Sequence, residues 1–183
     1  MSTTVERMTA DAFLAREDFP RHTQLLDGVV VLNSPAFLHQ HVVGEFYAVL
    51  RAWTLEAPDR GVVSLELDVR VDNANVAVPD VLWFAGGIAM DAPRAPQVPD
   101  LAVEVRSPST WVYDVGLKRE LYERNGMREL WLVDTVSRTL RVYRRDAGPG
   151  FDVHMELDAG ASLSSPLLDG FAATVGDLIP ALP

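Results

Sequence analysis

Asp100-Leu101-Ala102-Val103-Glu104-Val105-Arg106 is the stretch on which the reading of this chain turns. Leu101, Val103 and Val105 occupy one face of an extended segment, and Ala102, Glu104 and Arg106 occupy the other. A short run this apolar, set between a loop and a helical segment, predicts a central strand covered on both sides. An ionised glutamate inside it is costly unless it is paired or binds a metal. Two readings of Glu104 follow. One is an ion pair with Arg106, two residues on and on the same face. The other is a hard-cation ligand, since Mg²⁺ is held by one or two carboxylates plus substrate phosphate.

Downstream, Trp111 to Asn125 reads as a helix closed by Gly126, the residue type favoured just past a helix C-terminus. Asp114, Lys118 and Tyr122 recur at four-residue steps and share one stripe, with Leu117 and Leu121 beside it to anchor the helix. Read alone, Asp114–Lys118 is a routine surface pair worth a few tenths of a kcal/mol. Upstream, Asp80 follows Pro79 inside an otherwise apolar run, Val76 to Phe84. Proline cannot donate to a sheet ladder and marks an edge, a bulge or a strand start. The carboxylate after it is a turn residue or a placed ligand.

Taken together, two carboxylates on neighbouring strands with a lysine nearby form a chemical kit. Asp80 and Glu104 are the expected metal ligands, for Mg²⁺ or Mn²⁺, and Asp80, Glu104 and Lys118 the expected catalytic set. The cation would polarise a phosphate and lower the pKa of a bound water. The lysine would stabilise the attacking hydroxide or the charge growing on phosphorus.

The remaining pattern supplies the frame. Thr9 can cap a helix over residues 10–17, broken at Asp18-Phe19-Pro20. Val29 to Asn33 is a strand entered from the Asp27-Gly28 turn. Residues 36–56 carry the apolar stripe of a core-facing helix through Val42, Phe46, Val49, Leu50 and Trp53. Val62 to Asp72 alternates strictly and reads as one strand. Glu129 to Asp134 and Thr139 to Arg144 read as a hairpin. Helix, strand, helix, three strands, helix and strands predict an α/β (α+β) domain with a mixed sheet flanked by helices. At 183 residues the chain fits one domain, residues 1–183.

Composition narrows the chemistry. With no cysteine, disulfides and thiolate zinc sites are excluded, and a reducing, cytoplasmic setting is the expectation. No apolar run approaches a membrane span, and the opening residues, Met1 to Met8, lack the apolar core of a signal peptide. His22, His39, His41 and His154 form no H-E-x-x-H zinc pattern, and there is no P-loop, G-x-G-x-x-G or G-x-S-x-G. The net charge of −10 runs against the basic footprint usual in nucleic-acid binders.

The chain resembles the Uma family of restriction-endonuclease-like proteins, within the PD-(D/E)xK nuclease superfamily. The resemblance rests on Leu26-Asp27-Gly28, Ser34-Pro35, His39-Gln40, Asp68-Val69-Arg70 and Pro79-Asp80. Its strongest block runs from Pro99 to Thr110, then Asp114, Lys118, Tyr122, Gly126 and Glu129-Leu130-Trp131-Leu132-Val133-Asp134, closing on Ser165 to Phe171. It implies a restriction-endonuclease-like core and a metal-dependent endonuclease acting on phosphodiester bonds of nucleic acid, DNA being the expected partner. It implies Asp80 and Glu104 as metal ligands. Lys118 is then the superfamily's lysine moved onto the helix, since Arg106 stands at the E-x-K position. His39 and Tyr122 resemble pocket residues. Thr23-Gln24 stands where the family often has Tyr-Glu, and Val29 where it often has Glu. Enzymes that cut both strands of a duplex are commonly dimers, so a homodimer is the matching expectation. The lost acids and the acidic charge support an alternative, a nuclease-fold binding or regulatory module without turnover, or a protein-interaction role with no phosphate substrate.

Overall fold

In the computed structural model, which describes residues 7–181, α1 (Ala10–Leu14) starts at Thr9, whose hydroxyl accepts from the Ala12 N–H at 3.2 Å. The Met1 to Glu6 part of the opening stretch lies outside the described residues. β1 (Thr23–Leu26) and β2 (Val29–Leu32) pair antiparallel across Asp27-Gly28. Both turn residues have positive φ, 50° and 73°, as the tightest hairpin turn requires. α2 (Phe37–Leu55) buries His39, Val42, Val43, Phe46, Leu50 and Trp53 along one side.

The alternating run 62–72 does not form one strand. It splits into β3 (Val62–Leu65) and β4 (Val69–Arg70), which belong to different sheets. Glu66 between them has φ 45°, a left-handed conformation that turns the chain. The next run splits at Pro79 into β5 (Val76–Ala77) and β6 (Val81–Phe84). β7 (Leu101–Val105) is buried at every residue.

A continuous helical run follows, made of α3 (Trp111–Tyr113), a π-helical segment (Asp114–Lys118) and α4 (Arg119–Arg124). β8 (Glu129–Asp134) and β9 (Thr139–Arg144) form the expected hairpin. β10 (Val153–Leu157), β11 (Ser162–Leu163), β12 (Ala173–Thr174) and α5 (Val175–Leu178) complete the described residues.

The main sheet has the order β10–β9–β8–β7–β6–β3. Its one parallel pair is β7–β8, joined by the helical run, and the other neighbours are antiparallel. A smaller sheet has the order β2–β1–β5–β4. α2 and the C-terminal segment cover one face of the main sheet, where Trp131 is wedged between Phe46 and Phe171. Leu121, Tyr122 and Met127 pack on the other face against Leu82, Ala102 and Leu132. β7 is therefore central, as its composition predicts. Among the described residues no helix is long and apolar enough to cross a membrane.

Candidate active site

β6 and β7 run antiparallel with Val81 opposite Val103. One step further along this register Asp80 stands opposite Glu104, and directly opposed residues point to the same face. Proline at 79 ends the β6 ladder there, which frees Asp80 to reach sideways. Its Oδ2 accepts from the Val105 N–H at 2.7 Å, and its Oδ1 lies 3.2 Å from His39 Nε2 on α2.

The helical run supplies the rest. Lys118 Nζ lies 2.6 Å from Glu104 Oε1 and 3.0 Å from Asp114 Oδ1. The Tyr122 hydroxyl donates to the same Glu104 Oε1 at 2.7 Å. Asp114 and Lys118 are the two ends of the π-helical segment, and single-turn π segments of this kind are frequent at functional sites. Asp80, Glu104 and Lys118 thus come together, 7%, 2% and 1% exposed. The cluster is roofed rather than set in an open cleft.

The bland reading of Glu104 does not survive. Arg106 Nη1 instead donates to both oxygens of Asp134, at 2.9 and 2.8 Å, because the parallel β7–β8 pairing brings that residue beside it. A second buried acid shows what a structural carboxylate looks like here. Glu129 is fully buried and takes Arg144, Ser165 and the Trp131 indole N–H. Its charge is matched and its lone pairs are filled. The Glu104 cluster instead gathers three carboxylates, Asp80, Glu104 and Asp114, around one ammonium and one imidazole.

Burial and that excess of negative charge both act on the titratable groups. Burial, together with repulsion from Asp114 and Asp80, pushes the Glu104 carboxyl up to about 8 against the pull of Lys118. Burial also raises Asp114, with Lys118 opposing. Burial disfavours the Lys118 ammonium, but Asp114 and Glu104 outweigh it and hold Lys118 above its usual value. Burial likewise opposes the His39 imidazolium, and Asp80 overcomes it to give a net rise. Among the described residues both His39 ring nitrogens and Asp114 Oδ1 lack a well-directed hydrogen bond, so the His39–Asp80 and Lys118–Asp114 contacts are electrostatic.

Asp80 and Glu104 are the residues that could hold a hard cation, with substrate supplying the remaining ligands. Glu104 Oε1 takes Lys118 and Tyr122, while Oε2 accepts no hydrogen bond from the described residues. Asp80 has one protein contact on each oxygen, and a carboxylate offers about four lone-pair sites. Among the described residues no group of three or more His, Asp or Glu is arranged to hold a metal ion. Two carboxylates with water and phosphate as the remaining ligands is the usual magnesium arrangement.

Asp80, Glu104, Lys118, Asp114, Tyr122 and His39, all singled out in the sequence, are brought together. The polar tether behind Asp114 was not foreseen there. Ser107 and Thr110 hydroxyls lie 2.8 Å apart, and Asn33 Oδ1 accepts from Ser107 and Ser109. The Ser107-Pro108-Ser109-Thr110 stretch carried that signal as a cluster of hydroxyls between strand and helix.

A mixed central sheet flanked by helices, with acids and a lysine gathered at its middle strand, has a counterpart among solved structures. A crystal structure of a "putative nuclease belonging to DUF820" from Anabaena variabilis ATCC 29413 matches with a TM-score of 0.78 at 20% identity, covering 94% of this chain and 97% of that one. The chain belongs to the Uma2 family, described as "Putative restriction endonuclease", whose family model matches residues 10–176. No protein of curated function matches the sequence.

Proposed function

We propose that the protein is a metal-dependent endonuclease that hydrolyses phosphodiester bonds in nucleic acid, most simply DNA. The observation that carries this reading is the contact of Lys118 Nζ with Glu104 Oε1, with Asp80 across the strand pair. Asp80 and Glu104 would hold Mg²⁺ or Mn²⁺. When bound, such a cation polarises the phosphate and lowers the pKa of a water.

The protein's own groups do the rest. Tyr122 and Lys118 fix the Glu104 carboxylate in one orientation through a shared oxygen. Asp114 holds the ammonium from the other side, leaving its positive charge beside the position where negative charge grows on the phosphoryl oxygens. The Val105 N–H and His39 fix Asp80. None of these groups depends on redox state, which suits the cytoplasmic setting expected of a cysteine-free chain. For a duplex substrate the reading carries a homodimer with one site per strand, which sedimentation velocity measures.

The test is incubation with supercoiled plasmid and labelled oligonucleotides in Mg²⁺, Mn²⁺ or EDTA, beside Asp80→Asn and Lys118→Met. Metal-dependent cleavage that falls by orders of magnitude in both variants is expected. Cleavage that persists in the variants would sink the assignment. The near-complete burial of Glu104 and Lys118 favours one competing reading, a nuclease-fold module that binds without turnover. Metal-dependent binding with no cleavage of any substrate would support it.

A further inference from the structure

A cleft of about 400 Å³ is bounded by the residue 16–23 segment, the β3–β4 connection and the loop that carries Arg94. Such a volume suits a small polar ligand or a few groups of a larger one. Thr23 and Val78 line it, and the Val78 N–H donates to Gln24 Oε1 at 3.1 Å. Asp80 is two residues beyond Val78, no more than about 7 Å of chain. One wall of the cleft is therefore within that distance, along the chain, of the proposed site.

Three arginines from two segments, Arg16, Arg21 and Arg94, line this cleft. Arg16 is held by Asp18 and lies over the Phe19 ring at 4.6 Å. Arg21 and Arg94 are exposed, and neither has a carboxylate within 4.0 Å among the described residues. In a chain with 26 acids against 16 bases, two exposed guanidinium groups line one cavity with no carboxylate in ion-pair contact among the described residues. Two acids also line the cleft. Glu66 is engaged by His22 at 3.3 Å, and Asp68 is raised by burial, with Arg94 near enough to oppose that rise. Arg21 and Arg94 stay exposed at the cleft.

We infer that this cleft receives the phosphate groups of a nucleic-acid strand flanking the one at Asp80 and Glu104, with Arg21 and Arg94 as the phosphate-binding residues. The inference rests on the nuclease reading for the identity of the ligand. It also accounts for how a chain of charge −10 holds a polyanion: the cation density is local. Guanidinium suits the task, because its planar fork matches phosphate oxygens in pairs.

The experiment measures binding without cleavage. Fluorescence anisotropy of a labelled single-stranded oligonucleotide is followed in EDTA across a salt series. The double variant Arg21→Ala/Arg94→Ala is compared with Arg51→Ala/Arg124→Ala, which removes the same charge elsewhere. Each lost phosphate contact on a single strand lowers the slope of log K against log salt by about 0.7. The cleft variant should bind at least about tenfold more weakly, with a slope smaller by about 1.4 for two contacts, and the control pair should stay near wild type. Arg21→Lys/Arg94→Lys should recover most of the slope, which separates lost charge from lost fold.

Equal weakening in the cleft and control pairs would overturn the inference, as would wild-type affinity in the cleft variant or no binding by wild type. Inorganic pyrophosphate competing as well as the strand at equal phosphate concentration would assign the cleft to a free polyphosphate and overturn it too. Binding that behaves as expected, in a protein that cuts no plasmid with any metal, would uphold the cleft while the nuclease reading falls. Cleavage by wild type with unaltered binding in the cleft variant would do the reverse.

Discussion

Lys118 is the one lysine in a chain that otherwise carries its positive side chains as 15 arginines. It is also among the most buried residues in the molecule. An ammonium has three donors to satisfy where a guanidinium has five, and two carboxylate oxygens meet Nζ within 3.0 Å. An arginine in the same space would leave donors unpaired. Breaking a buried pair by removing one partner costs roughly 3–5 kcal/mol, because the other charge is left uncompensated. Glu104→Ala and Lys118→Met should therefore each destabilise the protein by about that much in urea unfolding above about pH 8, where Glu104 is ionised in the folded state. The double variant should cost less than the two singles together, by about 0.5–3 kcal/mol of coupling. Strict additivity would show that the contact carries no energy. At this scale the sequence was informative where a charge interrupts an apolar run, as at Glu104 and Asp80. Arg106–Asp134 was not legible, because it depends on a parallel strand pairing that no local pattern announces.

Between residue and molecule, the elements differ in how openly they declare themselves. β7, α2 and the β8–β9 hairpin follow from period and composition within a residue or two. The run 62–72 misleads because its alternation continues through Glu66, where positive φ directs the chain from one sheet to the other. The π-helical segment is likewise invisible, since four-residue spacing of Asp114 and Lys118 reads as ordinary α-helix. Two glycines test the local account. Gly44 is exposed in the interior of α2, and a Cβ built there meets nothing within 4 Å. Glycine costs a helix interior about 0.8–1.0 kcal/mol relative to alanine, so Gly44→Ala should stabilise by up to about 1 kcal/mol. Gly61 has φ 70°, and its Cβ would fall 2.2 Å from the Phe84 carbonyl oxygen at the β3–β6 edge. Gly61→Ala should lower the thermal midpoint, by a change of opposite sign to that at Gly44. Equal responses in thermal melts would contradict the assignment of these backbone positions.

For the whole molecule, the balance of charge ties stability to pH and to divalent cations. Glu104 has an ordinary value of 4.5 and is pushed up to about 8, first by burial. Below about 4.5 the folded and unfolded states both keep this proton. Between 4.5 and 8 the folded protein retains it while the unfolded chain releases it, so folding stability from this group declines as pH rises. Burial moves Asp114 the same way. Asp152 works in the opposite sense at the acid end. The backbone N–H groups of Asp146, Ala147 and Gly148 hold it down to about 2, so its contribution is present above its ordinary value of 3.8 and is lost as pH falls toward 2. In metal-free buffer the thermal midpoint should therefore peak on the mildly acid side and fall toward pH 8. A divalent cation on Asp80 and Glu104 would take the place of the retained proton, and a ligand that binds only the folded state stabilises it by mass action. Mg²⁺ should accordingly raise the midpoint at pH 8 and have little effect at pH 5, where it must displace that proton. Glu104→Gln removes the titrating group: its midpoint should fall less steeply from pH 5 to 8, and the Mg²⁺ response at pH 8 should vanish. Calorimetric scans of both proteins at the two pH values, with and without Mg²⁺, separate the outcomes. An equal Mg²⁺ shift at pH 5 and 8, or one that survives in Glu104→Gln, would place the cation away from Asp80 and Glu104 and remove the metal from the proposed chemistry.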